Sequence, residues 1–239
     1  MSLTEHLREL RNRLAVSIGA VAVFAILGYV FYDRIISFLQ EPAQKAIAEQ
    51  QANGHDVQLS IIGGVASAFT LQVKVACIVG VILACPVWLY QLWRFITPGL
   101  NPKEKKYAIP FVLSSIFLFI LGGFVALLTL EPALNFLLQI GGSDVTPALT
   151  YDKYVSLVAL MIVAFGLSFE FPVILMFLLL ARVLSTQQLR KWRRYAIVII
   201  VAFAAIITPS QDPYSLFAMA IPMYIFYEAC IIIGRFMKR

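Results

Sequence analysis

The sequence predicts an all-α integral membrane protein, and three observations carry the prediction. Of the 239 residues, 61% are hydrophobic and 13% charged, with a mean hydropathy of +0.85. An ordinary globular domain is about 45–50% apolar and about 25% charged, so this surplus needs lipid as its solvent. Apolar runs, most of them long enough to span a bilayer, alternate with polar segments rich in turn residues. Lys and Arg gather in every second one of those segments.

The runs fall at about 14–32, 75–97, 107–140, 153–181, 195–207 and 214–233, giving six transmembrane helices in one transmembrane domain without an internal repeat. Ahead of the first, "MSLTEHLRELRNRL" is charged and helical, with Leu3, Leu7, Leu10 and Leu14 at helical spacing. No cleavable signal is expected there, because the run that follows is long enough to span and stay. The next segment, "DRIISFLQEPAQKAIAEQQANGHDVQ", reads as a loop. The third run, if helical throughout, reaches about 51 Å and places Glu131 near the outer interface. The fifth, 195–207, supplies about 20 Å of helix against a hydrocarbon core of about 30 Å. Pro222 interrupts the sixth. A short hairpin joined by "TPSQDP" leaves the bilayer locally thin or is shielded by a partner.

Loop charge sets the orientation. Arg8, Arg11 and Arg13, then Arg94, Lys103, Lys105 and Lys106, then Arg182, Arg190, Lys191, Arg193 and Arg194, then Arg235, Lys238 and Arg239 all fall on one side. These fifteen face three, Arg34, Lys45 and Lys153, with Lys74 snorkelling towards the smaller group. The positive-inside rule puts both termini in the cytoplasm. The net charge of +6 is therefore topology, and no nucleic-acid partner is expected.

Catalytic signatures are missing. The sequence holds no G-x-x-x-x-G-K-[ST], H-E-x-x-H or G-x-S-x-G pattern. His6 and His55 fall on opposite sides by this topology and cannot share a metal or a triad. Cys77, Cys85 and Cys230 lie in apolar runs without a C-x-x-C pair and read as buried inert thiols. No enzyme activity, cofactor or metal is expected.

The acids on the basic side are more informative. Glu9 sits off the leucine stripe and can pair with Arg13 at i,i+4. Glu104 sits in "NPKEKK", a helix start with Asn101 as N-cap and Pro102 at N1. Each has a plain helix-electrostatic explanation. As a pair on one membrane face they suit guanidinium recognition, where a carboxylate accepts two parallel hydrogen bonds. Aromatic clusters at the inner helix ends, such as "VWLYQLWRF", read as interface anchors; Gln91 and Phe95 stand close enough to the loop to be exceptions.

Glu170 is a lone carboxylate in "AFGLSFEFPVILMFLLL". At the centre of a membrane helix an acid costs roughly 2.5–3.5 kcal/mol on insertion scales. Pro172 cannot donate to the Ser168 carbonyl, so the helix is weakened beside the carboxyl. The face behind it reads Ser156, Ala159, Val163, Gly166, small enough for a second helix to approach. Three readings remain open: a polar contact docking a partner helix, a proton or ion relay in a small secondary transporter, or a pair within the bundle.

The motifs "HLRELRNRL", "CPVWLYQLWRFITPGLNPKEKK", "FGLSFEFP", "LRKWRRYAIV", "ITPSQDPYS" and "AIPMYIFYE" occur in order along nearly the whole chain. In them the sequence resembles the TatC family, the multispanning core of the twin-arginine protein translocase. The resemblance implies six helices in a concave, glove-like wall with its last two spans short, under a periplasmic cap at about 33–67. It implies a receptor in the cytoplasmic (inner) membrane for twin-arginine signal peptides on cargo exported folded, driven by the proton-motive force. TatA-like and TatB-like single-span subunits would be partners in a hetero-oligomer. Signal-peptide contacts carry over to Glu9, Glu104 and Arg11, with Gln91 and Phe95 beside them, and the intramembrane acid to Glu170. Asp212 matches the acid of the fifth-to-sixth loop, although the order of "TPSQDPYSL" departs from the family's usual one.

Overall fold

The computed structural model describes residues 3–52, 59–60, 65–96, 108–140 and 149–237. The chain is all-α. Its helices are α1 (Leu3–Val30), α2 (Tyr32–Ala52), α3 (Val65–Leu83), α4 (Cys85–Ile96), α5 (Ala108–Ile140), α6 (Tyr151–Ser168), α7 (Phe171–Leu180), α8 (Thr186–Lys191), α9 (Arg193–Ile207) and α10 (Pro213–Met237). Two two-residue strands, β1 (Leu59–Ser60) and β2 (Leu149–Thr150), pair in parallel.

Among the described residues, four stretches are long and apolar enough to cross a membrane: α1, α5, α6 with α7, and α10. The α3–α4 pair, bent by 53°, makes a fifth. The short α9, at fifteen residues and about 22 Å, completes the six. Each break has a local cause. Pro86 cannot donate to the Ile82 carbonyl, and the chain bends at Ala84. Pro172 sits at the start of α7, so the hydrogen-bond ladder is interrupted at Phe169–Glu170 and resumes behind it.

Close approach of two backbones fixes two helix pairs. A Cβ on Gly80 would stand 2.6 Å from the Val21 carbonyl oxygen, so α3 lies directly on α1. A Cβ on Gly122 would stand 2.6 Å from the Phe165 carbonyl, so α5 lies as closely on α6. Gly166 receives the Phe119 ring in the same contact. The small-residue face read from the sequence as a groove for a second helix is thus occupied at this point by α5 of the same chain.

The segment read as a loop after the first run contains α2. Ala43, Ala46, Ile47 and Gln50 form its buried stripe despite Pro42 in its interior. Tyr154 donates its hydroxyl to the Leu39 carbonyl and ties α2 to α6. Asn135 donates to Glu49 at 2.6 Å and accepts from Gln50 at 3.4 Å, tying α2 to α5. Lys74, expected to snorkel towards the side of Lys153, reaches the neighbouring Asp152 at 2.6 Å and the Ser156 hydroxyl at 2.9 Å. Cys85 and Cys230 are buried, whereas Cys77 is exposed on α3.

Candidate functional site

The charged N-terminal turns of α1 lie against α4, and there the side chains expected to act together meet. Glu9 stands one position before Leu10 and is half-buried, whereas Leu7, Leu10 and Leu14 are exposed. Glu9 Oε1 accepts from Arg13, one helical turn on, through Nε at 3.0 Å and through Nη2. Arg13 Nη1 then donates to Gln91 Oε1 across the helix boundary at 3.3 Å. Phe95, one turn beyond Gln91 on the same face of α4, stacks on His6 with ring centroids 4.3 Å apart. Two i,i+4 pairs, one on each helix, therefore clasp each other.

This arrangement leaves one acceptor spare. Glu9 Oε2 is buried and has no hydrogen-bond partner among the described residues. The Arg13 hydrogen bond, with the charges of Arg13, His6 and Arg94, holds the Glu9 carboxyl below the usual carboxylate range. The site therefore offers an ionised oxygen with the cations Arg13 and Arg94 near it. A plain cation is repelled by those charges, while a planar N–H donor of matching geometry can still reach the oxygen.

Not every expected residue joins the cluster. Arg11 is exposed on the other side of α1. Glu104 lies outside the described residues. Arg13 pairs with Glu9 as the sequence spacing predicts, and His6 joins the cluster although sequence reasoning did not place it there. Its i−3 spacing from Glu9 was the available signal.

Glu170 and Asp212 are separate. Glu170 is 7% exposed at the α6–α7 break, and its Oε1 has no partner among the described residues. The Ser115 hydroxyl of α5 reaches its carboxyl, and Ser115 in turn accepts from Trp93 Nε1 of α4 at 2.6 Å. Asp212 is 1% exposed and caps α10: its Oδ1 accepts the Ser215 backbone N–H at 2.8 Å, Ser210 donates to Oδ2, and Pro213 opens the helix. Gln211 takes a left-handed φ of 49° to bring the cap round. That geometry gives Asp212 a structural duty in a tight hairpin.

Comparison with known proteins agrees over the whole chain. Residues 5–222 match the family described as Sec-independent protein translocase protein (TatC). A protein of that name from Frankia casuarinae is 43% identical over 239 residues, covering 98% of this chain and 65% of its own length. One from Aquifex aeolicus is 41% identical over 242 residues, covering 100% of this chain and 97% of its own. A crystal structure described as the twin arginine translocase receptor TatC superposes with a TM-score of 0.76 at 39% identity, covering 98% of this chain and 100% of that one. A second, of the same receptor in DDM, also scores 0.76. With sequence and fold both matching over nearly its whole length, the chain belongs to the TatC family of Sec-independent protein translocase proteins.

Proposed function

We propose that this chain is the receptor and core subunit of a twin-arginine translocase, a non-enzymatic membrane protein that binds signal peptides carrying paired arginines. One observation carries the reading: the buried, unpartnered Oε2 of Glu9 in a cluster with Arg13, Gln91, His6 and Phe95. A guanidinium fork supplies the missing donor, and its flat face can lie against the Phe95–His6 stack. Glu104, eight residues beyond the end of α4 in sequence, is assigned to the same site, and Arg11 to its rim. Export of folded cargo then draws on the proton-motive force, with TatA-like and TatB-like single-span subunits completing the complex. The small-solute transporter alternative has no support from the relatives.

The test is crosslinking. A photoreactive phenylalanine at position 95 should capture a twin-arginine peptide and capture its twin-lysine counterpart far less. Equal capture of the two would remove the assignment.

The assembly resides in the cytoplasmic membrane with both termini inside, on the strength of the fifteen-to-three loop charge. In this orientation α2 with the β1–β2 pair forms the external cap. Single cysteines at positions 53 and 147 should label from outside, and those at 103 and 190 from the cytoplasm. External labelling at 103 would reverse the topology.

A further inference from the structure

A groove remote in sequence from the α1–α4 cluster runs between α7, α8, α9 and α10. Its volume is about 490 Å³, and its walls include Phe171, Leu175, Trp192, Ile199, Phe203 and Met223. A cavity of this size is ample for part of a small molecule. Its α9 wall, with Trp192 just ahead of the helix, extends to Phe203, about 16 Å of rise. That is close to half of a hydrocarbon core of about 30 Å, the depth of one leaflet.

The two ends differ in charge. Arg190 and Lys191 close α8, and Arg193 and Arg194 open α9, each adjacent in sequence to a lining residue at 189, 192 or 195. Arg190, Lys191 and Arg194 are exposed. Glu228 of α10 also lies at this end, held by Arg193 Nη2 at 2.5 Å and by the Tyr224 hydroxyl at 3.2 Å. Four cations therefore stand beside one carboxylate already engaged. The buried Nε of Arg193 has no acceptor among the described residues. Trp192 and Tyr195 flank the same end, 48% and 69% exposed, as rings at a lipid headgroup boundary do.

We propose that this groove binds one anionic phospholipid, with an acyl chain along α9 and the phosphate over Arg190, Arg193 and Arg194. The depth argues for this occupant over a partner helix. A helix is about 10–12 Å across and lies along a whole span, whereas this groove ends after one leaflet. The charge argues for an anionic headgroup, because a zwitterionic one brings its own cation beside the phosphate and gains less from three exposed cations.

The full chain, purified in neutral detergent, is titrated with phosphatidylglycerol or phosphatidylcholine, and bound lipid is counted by native mass spectrometry. One phosphatidylglycerol per chain should be held roughly tenfold more tightly than phosphatidylcholine. The variant R190Q/R194Q should lose that preference. The variant A196F, which fills the groove without touching its charge, should lose the tightly held lipid, with thermal unfolding used to confirm that it is folded. Equal retention of the two lipids by the parent overturns the proposal. So does a preference that survives in R190Q/R194Q, or undiminished binding by folded A196F. In native membranes, a photoreactive phenylalanine at position 203 should capture lipid; capture of a protein subunit instead would assign the groove to a partner helix.

Discussion

Replacing Glu9 by alanine is expected to weaken binding of a twin-arginine peptide by roughly tenfold to a hundredfold, the scale of one charge-assisted hydrogen bond. The loss has two origins. The acceptor at Oε2 disappears, and Arg13, released from Glu9, is left free to face the incoming guanidinium as a like charge. Glu9→Gln should fall between parent and alanine, because the amide oxygen still accepts but carries no charge. A twin-lysine peptide should bind the parent less well, since an ammonium cannot reproduce the planar fork. Glu41→Ala is the control. Glu41 pairs with Lys45 at 2.8 Å on the surface of α2, remote from α1 and α4, and its loss should leave peptide binding unchanged. Because the Arg13 hydrogen bond holds the Glu9 pKa below the usual value, protonation of the carboxylate is displaced to lower pH than in a free glutamate. Over roughly pH 3 to 8, the carboxylate-linked loss of binding should therefore set in at lower pH than an unperturbed glutamate would give. Isothermal titration over that range measures both effects. Parent-like affinity in folded Glu9→Ala would move the site elsewhere.

What the sequence made legible follows how each signal is encoded. The six-helix membrane fold was readable because lipid imposes one-dimensional constraints: run length, run polarity and loop charge. The break at Glu170 was readable too, since Pro172 removes a donor at a known offset. The helix α2 was not. Its buried stripe mixes two alanines and a glutamine with two isoleucines, its exposed face carries Glu, Gln and Lys, and Pro42 sits inside it, so polarity and a breaker together imitated a loop. The Lys74–Asp152 contact was equally hidden, because snorkelling and pairing leave the same trace in a sequence. At the candidate site, Glu9, Gln91 and Phe95 were named from their motifs. Their meeting depends on how α1 crosses α4, which depends on Gly80 admitting the α1 backbone and on the bend at Ala84. No local pattern states either angle. The same holds for Asp212, whose role as a helix cap rests on the left-handed turn at Gln211.

Glu170→Ala is expected to weaken association with a single-span partner by about 1–2 kcal/mol, the worth of one interhelical hydrogen bond in a membrane. It should leave signal-peptide affinity nearly unchanged, since Glu9 and Gln91 belong to another cluster. The reasoning begins from cost. A carboxyl that is 7% exposed keeps one contact, from Ser115, and leaves Oε1 without a partner. An orphaned buried oxygen is unfavourable in the isolated chain, so an approaching polar side chain that satisfies it gains what the chain alone gives up. The small residues nearby do not create that approach, because α5 already fills the contact at Gly166. The site of weakness is instead the α6–α7 break itself, where the hydrogen-bond ladder is interrupted beside the carboxyl. Glu170→Gln should retain part of the association, as an amide can still hydrogen-bond both Ser115 and a partner. Co-purification and site-specific crosslinking of the three variants decide between outcomes. If Gln behaves as Ala does, charge rather than neutral hydrogen bonding holds the partner. If both variants assemble like the parent, Glu170 does not dock a helix, and its buried oxygen must be explained by a duty later in transport.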